Sequence, residues 1–423
     1  MTQATALSAR LAEDYAGAAR ELSAAAPRRE AALAALAAHG LPTTRDENWK
    51  YANLRPLEKL RFAPAPPATR PVALPAAVPG FARCVFIDGR FAPDLSAADP
   101  ALPFTSLAGS PAEPGEAPAR GPDQRLALLN DLFAPDGAAI RLEAGRRARL
   151  ELVFVASAES TSGASYPRVE LRLGPGAGLE LIERHVSAAS AASFVAAAAQ
   201  VDLARGARLE HYRLQQLSAK SVLFDTLEAR LGAQAGYRLH ALNTGAQAAR
   251  ATLGVHLGGE RAELALAVVC LGEGSQVQDT YARVEHAAPR TRTEQVFRGI
   301  AAGRSRVAFN GKIVVAHGAA GSDSQQSLRG LLAGAEAEID VRPQLEIHTD
   351  DVRCSHGATT GKLDDAMLFY LLARGLDRAA AQRLLKWAFL EDVIARIQLP
   401  ELRRESEAHL AAALADDALK ELL

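Results

Sequence analysis

The chain has 423 residues, 48% of them apolar, and 48 Lys and Arg against 49 Asp and Glu leave a net charge of −1. This length and apolar share suffice for a large core and two or three structural regions, while the charge balance argues against a surface dedicated to nucleic acid or to an anionic membrane. Cys84, Cys270 and Cys354 lie far apart with no Cys-x-x-Cys pair, so neither a zinc ribbon nor a resident cluster is implied and a reducing compartment fits.

In chain order, residues 4–39 carry Leu7, Leu11, Tyr15, Leu22, Leu33 and Leu36 at three- and four-residue spacings, with a break expected at Pro27 and a stop at Gly40 and Pro42. Glu13, Asp14 and Glu21 make this stretch too acidic for a transit peptide, it lacks the apolar stretch of a signal peptide, and no apolar run approaches bilayer length. The expectation is a soluble cytoplasmic protein whose residues 1–62 form a helical region. Residues 63–125, rich in proline from Pro64 to Pro79, read as a linker holding one short hairpin, Cys84 to Ile87, Asp88-Gly89, then Arg90-Phe91.

The main body, residues 126–350, repeats short alternating segments such as Val169 to Leu173 and Leu179 to Ile182, with turns at Gly176, Gly206, Gly232, Gly258 and Gly334. Many short strands without intervening helical patterns predict a mostly β fold, and the quasi-period favours a solenoid over a sandwich. Helical signals return over residues 351–423: Asp364 can cap a first helix before Gly375, Asp377 a second ending before Pro400, and a third runs to Leu423.

Two glycine-rich stretches fail as phosphate sites. Gly357 to Leu363 has one residue too few between its glycines and no Ser or Thr after Lys362. Gly174 to Gly178 lies between two strands and reads as a turn. His211, His240 and His286 sit in strand or turn contexts that suit structural or surface histidines. Asp350 and Asp351 raise the alternative of a β-solenoid carbohydrate-active enzyme using paired carboxylates, a reading better suited to an exported protein. In Cys354-Ser355-His356, an extended backbone puts a thiol and an imidazole on one face, where both could reach iron or zinc. Packing of Cys354 beside Val352, with a local hydrogen bond for His356, is the structural alternative.

The run from Pro343 to Thr359, which includes Asp350-Asp351-Val352-Arg353-Cys354-Ser355-His356-Gly357, and its continuation Leu368 to Gly375, closely resemble the signature of the SufB/SufD family of iron-sulfur assembly proteins. Ser305 to Ile313, Gln325 to Leu328 and Leu41 to Leu57 are similar to other family segments, so the likeness spans nearly the whole chain, and the wording around Cys354 resembles the SufD branch more than the SufB branch. The resemblance implies a right-handed parallel β-helix between helical ends, a non-catalytic scaffold role, a heterodimer with SufB, and docking of the ABC-type ATPase SufC on the C-terminal helices. On the first of those helices Phe369, Tyr370 and Arg374 are the candidate contacts, with core aromatics and a cap-proximal cation as the alternative. A cluster ordinarily takes four protein ligands, so one Cys/His pair cannot hold it alone. The implied cofactor is a transient iron-sulfur cluster shared with the partner, with His356 and Cys354 as candidate interface ligands: His356 as ligand or proton-handling group, and Cys354 as its accessory or a buried structural neighbour. A reduced flavin on the complex and a homodimer of the free protein through exposed solenoid edges are both compatible with this reading.

Overall fold

Alternation of apolar and polar residues in segments such as Val169 to Leu173 gives strands with one face set for the interior, and such strands are stable only when stacked against their own repeats. The computed structural model describes residues 3–22, 25–69, 71–97, 104–109 and 121–414. Within them the chain winds into a parallel β-solenoid with two strands per coil. One sheet contains Arg147–Ala156, Gly178–Ser187, Arg208–Gln216, Gly236–Asn243, Glu263–Gly272, Arg292–Ala301, Ser322–Leu332 and Val352–Gly361. The facing sheet contains Ala138–Leu142, Arg168–Leu173, Phe194–Leu203, Val222–Leu231, Ala248–Leu257, Val277–His286, Arg306–Val315 and Glu338–Ile347. Val222 sits opposite Ala248, 26 residues on, and Arg306 opposite Glu338, 32 residues on, which brackets the coil length in the second sheet.

Residues facing inward from both sheets, among them Leu150, Leu181, Leu239, Leu266, Leu171, Val201, Leu227 and Val255, form one continuous core. At the corner entering seven of these eight strands of the first sheet, all but Val352–Gly361, one residue takes a left-handed conformation: Gly145, Gly176, Gly206, Gln234, Arg261, Arg290 and Gly321. Each donates its N–H to a carbonyl of the next coil, from Gly145 to Pro175 (2.9 Å) through to Gly321 to Asp351 (2.7 Å). Gly232 and Gly258, also expected at turns, are not left-handed. A Cβ on Gly232 would lie 3.0 Å from the Leu203 carbonyl oxygen of the coil below, so that glycine answers to close stacking.

The two ends differ. At the first, Ala82–Ile87 joins Arg147–Ala156 in parallel and then reverses through Asp88 (φ 48°) and Gly89 (φ 81°) into Arg90–Phe91, while Phe104–Ser106 runs antiparallel to Ala138–Leu142. The hairpin expected from Asp88-Gly89 is therefore also the first strand of the first sheet. At the far end, Glu338–Ile347 and Val352–Gly361 each pair with a neighbour on one side only.

Helical regions cover the outer faces. Gln3–Ala18 and Ala26–His39 are separate helices; Pro27 sits in the first turn of the second, where its missing N–H costs nothing, and the break lies ahead of it. With Trp49, Leu57, Phe62 and the short helix Ala127–Phe133, they pack on Phe194, Val222, Phe224 and Ala248 of the second sheet. Arg250, fully buried there, pairs with buried Asp279, donates to the Asn48 carbonyl (2.7 Å) and lies over the Trp49 ring at 4.5 Å.

Over the first sheet, helices Arg378–Ile394 and Pro400–Ala413 seat Trp387, Leu390, Val393 and Ile394 on Tyr212, Leu242, Val269 and Ile300. Asp364 and Asp377 cap helices as expected, accepting from the N–H groups of Ala366 and Ala380, each at 2.8 Å. The expected end of the last helix at Leu423 lies outside the described residues.

Two predictions follow from burial. Removing one member of a buried ion pair costs about 3–5 kcal/mol, so Arg250→Met should lower urea stability by that order, and adding Asp279→Leu should restore most of it. His286, buried with its two ring nitrogens 2.8 Å from Thr291 Oγ1 and 2.9 Å from Thr293 Oγ1, is pushed down to about 4 by burial against the opposing Asp323 charge. The unfolded chain, with a histidine pKa near ~6.5, binds the proton first, so the contribution is present above that pH and is lost on acidification towards 4. Stability should fall by about 2 kcal/mol from pH 7 to pH 5 on account of this group, and a urea-denaturation series of His286→Gln should lack that increment.

Candidate functional site at the open end of the solenoid

Val352–Gly361 is the last strand of the first sheet, and nearly all its residues are exposed or half-buried. Strand parity places Val352, Cys354 and His356 on the lumen side, and Val352 and Cys354 pack against the edge of the inter-sheet core. The structure thus brings the thiol and the imidazole to one face of one strand at the solenoid mouth. Cys354 is half-buried and His356 exposed; their register partners on the strand behind are Ser324 and Gln326. Burial, and next the Asp323 charge, push the Cys354 thiol up, against a backbone hydrogen bond from Ser324 that acts downwards. At neutral pH it is a thiol, and metal binding there would have to displace the proton. Among the described residues no three His, Cys, Asp or Glu side chains converge on one metal position.

Beside the mouth, Asp350 and Asp351 are exposed on the corner turn, Asp351 giving its carbonyl to Gly321. On the neighbouring edge strand Glu346 accepts from Lys312 Nζ (2.7 Å) and from His348 Nε2 (3.0 Å), and these bonds hold its carboxyl down at about 2. Gly357 and Gly361 lie within the last strand, in extended backbone rather than in a loop wrapped onto a helix N-terminus as a phosphate loop requires.

Helix Asp365–Ala373, which follows, buries only Leu368, leaving Met367, Phe369 and Tyr370 at 55, 72 and 55% exposure. The alternative that these aromatics are core is overturned, because the helix stands off the solenoid with apolar residues on its outward face. Arg374 caps the helix C-terminus and lies 5.1 Å over the Tyr370 ring.

Deeper in the lumen lies a cluster that spacing did not single out. Glu183, 1% exposed, accepts from Arg213 Nη2 (2.6 Å), His185 Nε2 (2.6 Å) and His211 Nε2 (3.0 Å), while Arg213 also donates to Asp225 (2.8 Å). Burial pushes the Glu183 carboxyl up, but the Arg213 charge and the histidine hydrogen bonds outweigh it and hold it well below the usual carboxylate range. His211 is therefore a buried structural histidine, as is His286, and His240 is a half-buried partner of Glu210 at 2.9 Å. The only sequence signal for the cluster is a charged residue, Glu183 or Arg213, at an inward parity position.

The structure is thus a parallel β-solenoid whose uncapped end carries Cys354 and His356, with an exposed apolar helix beside it. Residues 154–389 match the family model described as SUF system FeS cluster assembly, SufBD core domain. The chain is 30% identical over 398 residues to the iron-sulfur cluster assembly protein SufD of Escherichia coli strain K12, covering 92% of this chain and 93% of that protein. It is 28% identical over 401 residues to an iron-sulfur cluster assembly SufBD family protein of Synechocystis, with 89% and 88% coverage. Protein ABCI7, chloroplastic, of Arabidopsis thaliana is 31% identical over 218 residues, 51% of this chain and 46% of that protein. The chain belongs to the SufBD family of iron-sulfur cluster assembly proteins. No helix among the described residues is long and apolar enough to cross a membrane.

Thiol accessibility gives a direct check of the site. Cys84 and Cys270 are fully buried, burial pushing Cys84 up to about 12 and Cys270 further. Intact-mass analysis after maleimide treatment should show one adduct on the native protein, mapped to Cys354, and three in denaturant; native labelling of Cys84 or Cys270 would contradict the described core.

Proposed function

We propose that the chain is a non-catalytic scaffold subunit of the cytoplasmic SUF machinery, pairing with SufB through its open solenoid end and with the ATPase SufC through its C-terminal helices. The observation that carries this reading is the one-sided last coil, where unpaired strand edges, Cys354 and His356 lie together. Unpaired N–H and C=O groups on an edge strand are a template for another chain's strand. A nascent cluster needs more ligands than this chain offers at the mouth, so a partner's groups would complete the site. His356 then serves as ligand or proton-handling group, and Cys354, a half-buried neutral thiol, as accessory. The cluster is cargo under construction rather than a resident cofactor, and a reduced flavin would belong to the complex.

For SufC, the exposed Met367, Phe369 and Tyr370 supply an apolar patch of the kind that marks protein interaction sites, and Arg374 offers a charged rim contact. The same open edge would support a homodimer when SufB is absent. A carbohydrate-active role finds no support in the exposed corner position of Asp350 and Asp351.

Co-expression with SufB and SufC tests the reading, and failure of the three to co-purify would sink it. His356→Ala should leave the complex assembled and reduce cluster formation on anaerobic reconstitution, read by absorbance; an unchanged yield would remove His356 from the chemistry. Phe369→Asp with Tyr370→Asp should weaken SufC capture by tenfold or more, about 1.4 kcal/mol or above, while SufB capture is retained.

A further inference from the structure

The lumen behind His356 contains an arrangement that apolar packing does not require. One inward row of the first sheet runs Leu239, Leu266, Gln295, Gln326, His356, each residue registered beside the next. Leucine gives way to glutamine at the two coils nearest the mouth. Gln295 and Gln326 are 1% and 4% exposed. Gln326 Nε2 donates to Gln295 Oε1 (3.1 Å) and to the Gly311 carbonyl (3.1 Å). These two bonds pin the amide and leave Gln326 Oε1 buried with no hydrogen-bond partner. Gly311 makes the room: a Cβ there would lie 2.7 Å from Gln326 Nε2 and 3.2 Å from Gln295 Oε1.

A buried acceptor without a partner is unfavourable unless a donor arrives. The only titratable member of the row is His356, one strand spacing away at about 4.8 Å, and an imidazole carries such a donor on one nitrogen. We propose that Gln326 is the positioning residue for His356. In the present conformation neither this Oε1 nor the neighbouring Gln295 Nε2 has a partner, and the exposed His356 ring makes no bond to Gln326; when the ring turns inward, one of its N–H groups is received by Oε1, which fixes the tautomer and leaves the other nitrogen with its lone pair free. Gln295 and Gly311 hold Gln326 in the orientation that keeps this acceptor available. Metal-binding histidines depend on such a bond for orientation and basicity. The inference rests on the reading of His356 as the ligand-bearing group, but its primary readout does not.

The test uses full-length protein with ¹⁵N-labelled histidine, the His356 ring signals being assigned by their loss in His356→Ala. Wild type and Gln326→Glu, which keeps an acceptor, should show a single His356 tautomer. Gln326→Met, which removes the acceptor at similar volume, should show a mixture of tautomers. Gly311→Ala, which displaces the amide without changing it, should give the same mixture and serves if Gln326→Met does not fold. In the complex with SufB and SufC, Gln326→Met should lower cluster yield about tenfold, as loss of an outer partner does to metal sites, with Gln326→Glu restoring it. A His356 tautomer indifferent to both Gln326→Met and Gly311→Ala would overturn the inference. If instead the tautomer responds while His356→Ala leaves cluster yield intact, positioning stands and the ligand role of His356 falls.

Discussion

Everything in this molecule depends on the rule that a parallel coil satisfies its backbone hydrogen bonds only through the coils above and below it. Interior coils meet that rule automatically, and the left-handed corners from Gly145 to Gly321 extend the ladder around the bend. The ends cannot, and the chain treats them differently. An antiparallel hairpin through Asp88-Gly89 and the Phe104–Ser106 strand stop the stack at one end, while the other is left as two long unpaired edges. Monomeric β proteins blunt or cover such edges; here the edge is kept and carries the Cys354 and His356 pair.

The side faces are treated as firmly as the first end. The N-terminal region is fastened to the second sheet by Trp49 beneath Arg250 and by the Arg250–Asp279 pair. The C-terminal helices are fastened to the first sheet by apolar packing, by fully buried Arg184 between Glu151 (2.7 Å) and Glu405 (2.7 Å), and by Arg396 with Glu294 (2.8 Å). Among the described residues the most exposed large apolar side chains, Phe369, Tyr370 and Met367, sit on the stand-off helix and the two long unpaired strands form the mouth, and the candidate functions fall on these two places.

The solenoid was legible because inward and outward residues alternate cleanly in segments such as Val169 to Leu173 and because left-handed corners favour glycine, as at Gly176 and Gly206. Where Gln234, Arg261 and Arg290 take the corner instead, the repeat fades from the sequence although the backbone is unchanged. Cys354 and His356 were found by their spacing and by family likeness, and the caps Asp364 and Asp377 by their chemistry. The polar lumen was not legible. Ser322–Leu332 is polar on both parities near its start, so no periodicity tells which face is inside, and Gln326 looks like surface until the register places it. Glu183, Arg213 and Asp225 were hidden for a similar reason, since charge reads as exposure and only long-range pairing reveals their burial.

Coil stacking also makes this protein a ruler. Each coil advances the mouth by about 4.8 Å, while the C-terminal helices grip strands from Gly178–Ser187, through Arg184, to Arg292–Ala301, through Arg298 and Glu294. Deleting or duplicating a coil beyond Arg292–Ala301 would leave these grips in place yet slide Cys354 and His356 by one step relative to the gripped strands. The number of coils therefore sets the distance between the open end and the strands that the C-terminal helices grip.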